Sequence, residues 1–173
     1  MNHSMNWARF AVFLAALGFS TLAVAAVQVD LAVDGSKLVV TGNTAQCVGG
    51  PIDCIEVKQG TNPHLFFNLN GACGNSGPVY KLTAFRIGLQ NKVWPTSSNP
   101  LPSNIARDFD ANPQTGYTNL GQGDNKLNDN KIKLKDHNSS AYTVYYEITA
   151  THCTDMTAPK IYLDPRIKNG GNN

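Results

Sequence analysis

The residues whose type and spacing most invite chemistry are the cysteines. Cys47 and Cys54 stand in AQCVGGPIDC with six residues between them around Gly-Gly-Pro, and Cys73 and Cys153 complete the set. A thioredoxin-like couple needs C-x-x-C near a βαβ pattern, and the chain has neither. Structural zinc sites place two to four residues between paired cysteines, so a zinc site completed by His64 or His152 fits the six-residue gap poorly. An even count in an oxidising location reads as two disulfides. Of three possible connectivities, Cys47–Cys54 with Cys73–Cys153 is favoured, because Pro51 and its neighbouring glycines make a compact turn. Loop entropy gives the short bridge about 2.5 kcal/mol and the long one about 4.5 kcal/mol of stabilisation.

Other candidate chemistry lies in one long irregular segment. NKVWPTSSNPLPSNIARDFDANPQTGYTNLGQGD, from Asn91 to Asp124, holds four prolines and little alternation. Connections of this length are often functional. Trp94 and Tyr117 sit there among Asn91, Asn99, Asn112 and Asn119, the mixture of aromatic faces and planar amides that sugars use. Asp108 and Asp110 add carboxylates, so Trp94, Tyr117, Asp108 and Asp110 are the candidate ligand-binding residues. The competing reading is a crossover between sheets, with Trp94 and Phe109 plugging a core end.

DFDAN also carries alternating oxygens. An EF-hand loop counted from Asp108 needs Gly at its sixth position and Glu at its twelfth, and the chain has Pro113 and Asn119. A looser calcium site from Asp108, Asp110, Asp124 and Asp129 is the alternative to ordinary turn chemistry. Enzyme signatures are absent: no G-x-S-x-G, no H-E-x-x-H, no phosphate-cradling glycine loop. Beyond the leader only two glutamates occur, Glu56 and Glu147, and His64, His137 and His152 are scattered. No cofactor is expected.

The compartment follows from the first residues. Arg9 precedes an apolar run from Phe10 to Ala25 that closes on Ala23-Val24-Ala25, a signal-peptidase pattern. The run is about 15 residues, short of the roughly 20 that span a bilayer. Residues 1–25 therefore read as a signal peptide, and the mature protein as secreted or periplasmic, with no membrane span after cleavage. Without Arg9, 13 basic side chains stand against 12 acidic ones. That balance argues against nucleic acid, which needs a concentrated basic face. KIKLK, Lys131 to Lys135, reads as a half-buried strand with a lysine-lined outer face.

The elements that must position these residues are strands. VQVDLAV (Val27 to Val33) alternates strictly, Asp34-Gly35 is a turn signal, and KLVVT follows. IEVK, HLFFNLN, KIKLK, AYTVYYEITAT (Ala141 to Thr151) and KIYL read similarly. In YKLTAFRIGLQ (Tyr80 to Gln90) the parity changes between Ala84 and Phe85, which predicts a bulge. A short helix is expected over Ser103 to Phe109 with Ser103 as N-cap.

NDNKIKLKDHNSSAYTVYYEITATHC followed by IYLDPRIKNGG resembles a group of small bacterial proteins called DP-EP-like. The residues that carry the likeness are Asp164, Pro165, Ile167 and Asn169, with Asp136, Asn138, Tyr142 and Tyr146 upstream. It spans Asn128 to Gly170 and implies a bacterial source and a β-sandwich, with no activity or catalytic residues. Physically, a strand from Ile161 to Leu163 can continue past Pro165 and bury Ile167, provided that it lies on a sheet edge.

Together these features predict an all-β chain: a single-domain antiparallel β-sandwich, immunoglobulin-like or Greek key, spanning 26–168 with one long irregular loop. The NGGNN segment, 169–173, is expected to be a disordered tail. The function expected is non-catalytic binding or a structural role toward an unknown protein or glycan. A carbohydrate-binding module or adhesin using the 91–124 loop is the alternative, and a small secreted hydrolase the third reading.

Overall fold

Strict alternation in the sequence becomes one-sided burial in the fold. The computed structural model describes residues 26–58, 61–70, 73, 79–89 and 92–170, so the expected signal peptide, 1–25, lies outside the described residues. The strands are β1 (Ala26–Asp34), β2 (Lys37–Asn43), β3 (Ile55–Val57), β4 (His64–Leu69) and β5 (Tyr80–Gly88). After the helix α1 (Ser103–Asp108) come β6 (Lys126–Asn128), β7 (Lys131–Lys135), β8 (Tyr142–His152), β9 (Ile161–Leu163) and β10 (Arg166–Asn169). β1 buries Val27, Val29 and Leu31, and β8 buries Val144, Tyr146 and Ile148, as a side-chain period of two requires.

Two open sheets of five strands each result, one ordered β2-β1-β4-β7-β6 and the other β3-β10-β8-β5, with β9 also on β8. Rings from the two sheets meet in the core. Phe67 of β4 lies 5.3 Å from Phe85 of β5 and 5.4 Å from Tyr146 of β8, centroid to centroid. Such offset and tilted ring pairs add to the stabilisation from apolar burial.

The sheets are mixed, which corrects the expectation of purely antiparallel pairing. β1 runs parallel to β4, and β3 parallel to β10. After β2 the chain leaves the first sheet, pairs β3 into the second, and returns to lay β4 beside β1. A detour of that length permits a parallel pair where a hairpin cannot. β6 has no alternation and is exposed along its length; pairing with β7 defines it. The bulge in β5 falls between Leu82 and Ala84, earlier than parity suggests.

Both disulfides form as paired above, Cys47–Cys54 and Cys73–Cys153. The first closes the corner between β2 and β3, where the chain changes sheet. Its turn is tied internally by Gly50 N–H to Cys47 O and Cys54 N–H to Pro51 O. The second joins a residue just after β4 to one just after β8, again linking the two sheets.

α1 carries Ile105 and Ala106 into the core. Ser103 is not its N-cap: Pro102 holds that position, and no side chain caps the helix. At the other end of the chain β10 includes Asn169, 3% exposed, so order extends into the segment expected to be a tail. Gly170 continues it, donating its N–H to Val57 O at φ 76°. A Cβ there would lie 2.5 Å from Ala141 Cα. Residues 171–173 lie outside the described residues.

Candidate functional site

The long connection lies as a strap along the outer face and free edge of β5. Phe85 and Ile87 of that strand point into the core, so Arg86 and Gly88 point out. Trp94 lies over Gly88: a Cβ at position 88 would come within 2.8 Å of two ring carbons. Beyond the bends that follow, Gly116 to Thr118 pairs with the β5 edge, through Ile87 N–H to Gly116 O and Thr118 N–H to Phe85 O. Paired this way, the edge is no longer a template for another strand.

Arg86 joins the two ends of the strap. Its guanidinium carbon lies 4.7 Å from the Trp94 ring centroid and 5.1 Å from that of Tyr117. Its Nε donates to Thr115 O at 2.7 Å. A planar, weakly hydrated cation suits such stacking better than an ammonium. Across the sheet Arg86 stands opposite Glu147. In the shared register of β8 with β9 and β10, Glu147 in turn faces Asp164. Lys92 closes the row, donating to Asp164 Oδ2 at 2.7 Å and lying 5.9 Å from the Tyr145 ring centroid. Desolvation raises the Glu147 carboxyl above its ordinary range; Arg86 opposes this and Asp164 adds to it. The hydrogen bond to Asp164 holds Lys92 above the usual lysine range. The face therefore presents fixed charges of both signs beside aromatic rings, with Tyr117 45% exposed.

A second polar group lies inside, where α1, the β7–β8 connection and the end of β10 meet. Asp108, 0% exposed, accepts at Oδ2 from Ser139 N–H, the Ser139 hydroxyl and the Tyr142 hydroxyl, each at 2.9 Å. Asp136 accepts at Oδ1 from Asn138 N–H at 2.8 Å and Asn169 Nδ2 at 3.3 Å. The Asn138 amide nitrogen donates to Lys58 O. Desolvation pushes the Asp136 carboxyl up to about 7, with the Asp108 charge adding and the two hydrogen bonds opposing. The Tyr142 hydroxyl is raised as well, first by desolvation and then by Asp136 and Asp108.

Of the four candidate ligand-binding residues, Trp94 and Tyr117 are brought together, against a shared Arg86. Asp108 is not with them, being buried against Tyr142. Asp110, exposed and at φ 49°, lines a shallow cavity with Arg107, Asp124, Lys135 and His137. Asp129 stands in the β6–β7 turn, its carbonyl accepting from Leu82 N–H. The four aspartates considered for calcium thus do not share one place. Among the described residues no three of His, Cys, Asp and Glu gather as a metal cluster. Asn112 shows the turn chemistry expected of this segment, its Oδ1 accepting from Gln114 and Thr115 N–H. Phe109 is in the core, whereas Trp94 is on the outer face rather than a core end.

Sequence reasoning singled out neither Arg86 nor Lys92, and gave Glu147 and Asp164 no part in a binding face. Arg86 and Glu147 each sit at an outward parity position of a recognisable strand, which is the only signal they give. A further cleft of about 470 Å³ is lined by Ala26, Val27, Ala45, Glu56, Val57 and Pro63, among others. Its one carboxylate among the described residues, Glu56, is paired with Lys168 at 2.9 Å. The described histidines take separate places; His152 Nδ1 accepts from Asp155 N–H at 2.9 Å and orders the turn after β8. No helix among the described residues is long and apolar enough to cross a membrane.

No protein-family model matches this chain, and no curated protein matches it.

Proposed function

We propose that this is an exported, non-catalytic binding protein, a disulfide-stapled β-sandwich whose binding surface is the outer face of the β3-β10-β8-β5 sheet. The observation that carries the reading is the stack of Arg86 between Trp94 and Tyr117, in one row with Glu147 and Asp164. Ligand surfaces of this kind combine aromatic faces with a few oriented polar groups. A saccharide is the ligand class that fits, because its axial C–H faces stack on rings while its hydroxyls bond carboxylates and guanidinium. Fixed positions help here: Arg86 is held by Thr115 and Asp164 by Lys92, so little side-chain ordering is left to oppose binding. Export is supported by the leader pattern of residues 1–25 together with two disulfides. The likeness of Asn128 to Gly170 to DP-EP-like proteins agrees with a bacterial sandwich.

The test is a glycan array probed with the mature protein and with Tyr117→Ala and Glu147→Gln, each checked for an unchanged melting temperature. Retention of one glycan class, weakened roughly tenfold or more by either change, is the expected result. Failure of the wild type to retain any oligosaccharide, or equal retention by both variants, overturns the saccharide reading.

A further inference from the structure

Around Asp108 and Asp136 the count of hydrogen-bond acceptors exceeds that of donors. Asp108 Oδ1, Asp136 Oδ2, Asn138 Oδ1 and Asn169 Oδ1 are all buried and have no hydrogen-bond partner among the described residues. Their residues are 0%, 0%, 2% and 3% exposed. Both amide groups are fixed in orientation, because each nitrogen is already used. Asn138 Nδ2 donates to Lys58 O and Asn169 Nδ2 to Asp136 Oδ1, so each oxygen is turned away from a protein donor. Nor is the charge balanced. The two ion pairs among the described residues are Lys92–Asp164 and Lys168–Glu56, and neither buried aspartate has such a partner.

Leaving four buried acceptors unmet is unfavourable, and so is ionising both buried carboxyls without a counter-ion. A water molecule donates two hydrogen bonds and a carboxyl proton one, so either alone leaves orphans. A single divalent cation answers both deficits: it draws on several oxygen ligands at once, and it offsets negative charge. The donor set is all oxygen, two carboxylates and two amide carbonyls, which suits a hard ion and not a transition metal. Calcium accepts six to eight oxygen ligands in adaptable geometry, whereas magnesium demands a near-ideal octahedron and keeps its waters.

We infer that Asp108, Asp136, Asn138 and Asn169 hold a calcium ion at the end of the two sheets. Three stretches distant in sequence supply the ligands: the end of α1, the turn after β7 and the last residue of β10. The ion is a structural clasp there, independent of the outer-face surface, and it fixes where the strap re-enters the body of the protein. This set shares only Asp108 with the aspartates that sequence spacing suggests.

The experiment is calcium titration of chelator-stripped mature protein by calorimetry, paired with thermal unfolding in calcium, magnesium and chelator. Binding of one calcium per chain, with a melting temperature that climbs with calcium and much less with magnesium, is expected. Asp136→Ala abolishes that binding. Asn169→Asp tests the site without deleting a ligand: a third carboxylate lowers the melting temperature in chelator and tightens calcium binding at least tenfold. A purely hydrogen-bonded or water-filled cluster gives no such reversal. A wild type indifferent to calcium and chelator overturns the inference, even if both variants fail to fold. So does calcium binding that persists unchanged in Asp136→Ala and Asn169→Asp, which would put the ion elsewhere.

Discussion

The backbone N–H of Tyr146 donates to the carbonyl oxygen of Pro165 at 3.0 Å, and proline has no N–H to return the bond. On either side the ladder continues in one register: Ile148 faces Leu163 and Tyr145 faces Arg166. β9 and β10 are thus one strand with a single missing donor. β3 begins to flank this strand only at Ile167, so the side of Pro165 away from β8 is free, whereas its missing N–H faces β8, opposite Tyr146. Ile167 is fully buried beyond it.

Pro165→Ala restores the donor and loosens the unfolded chain. The new hydrogen bond contributes about 0.5–1.5 kcal/mol, against about 0.4–1 kcal/mol from added unfolded-state entropy. The expected net change in stability is within about 1 kcal/mol. The distinguishing outcome is hydrogen exchange: the amide that the substitution introduces at position 165 is protected to the level of its β8 neighbours. A rapidly exchanging amide at that position would show that β9 and β10 are separate strands.

Arg86→Ala removes the cation stacked between Trp94 and Tyr117 and the bond to Thr115. The loss expected is about 1–3 kcal/mol. From Ala26 onward Trp94 is the only tryptophan, so its fluorescence reports the strap directly. A red-shifted emission in the native state accompanies the stability loss. Gly88→Ala produces the same spectral change by another route, because a Cβ there meets the indole at 2.8 Å. Emission unchanged in both variants would mean that Trp94 does not rest on this face.

How legible was this face beforehand? Strand positions were, since alternation in Val27–Leu31 and in Val144–Ile148 is enough to fix which side is buried. The disulfide pairing was, since a Gly-Gly-Pro turn brings Cys47 to Cys54 and leaves one partner for Cys73. Pairing between strands was not. Nothing local in Arg86, Glu147 and Asp164 tells that three strands place them in one row, because that depends on register across sheets of mixed direction. Nor does local sequence tell that Trp94 covers Gly88 on the outside while Phe109 turns into the core; both are aromatics in a proline-rich segment. Asp108 and Asp110 looked alike in DFDAN, yet the end of α1 buries the first and exposes the second.

The two disulfides differ in the loop each closes. Cys47 and Cys54 lie 7 positions apart in sequence, Cys73 and Cys153 80. Replacing each pair by serines is expected to cost about 2.5 kcal/mol for the short loop and about 4.5 kcal/mol for the long one. Urea unfolding of the two double variants checks the order. The long-loop variant unfolds at the lower urea concentration; the reverse order would show that the corner between β2 and β3 matters more than loop entropy.

Glu147 and Glu56, the two glutamates of the described chain, give opposite pH dependences. Burial raises the Glu147 carboxyl in the folded protein, so between its ordinary value of 4.5 and the raised value the folded state holds more protons than the unfolded one. Stability from this group therefore falls as pH rises through that window and is flat above it. Glu56 is lowered, first by its hydrogen bond from Lys168, then by Val48 N–H. Its contribution is present above 4.5 and is lost as pH falls through the lowered folded value. Because the pair lies at the surface, with the Lys168 side chain 52% exposed, that contribution is at most about 1 kcal/mol. Urea midpoints of wild type, Glu147→Gln and Glu56→Gln across this range separate the two. Relative to wild type, Glu147→Gln gains stability as pH rises from about 4.5, whereas Glu56→Gln loses it as pH rises toward 4.5 and runs parallel to wild type above that. Parallel curves for wild type and Glu147→Gln would mean that Arg86 offsets the desolvation of Glu147 completely, so that folding leaves the proton affinity of this carboxylate unchanged.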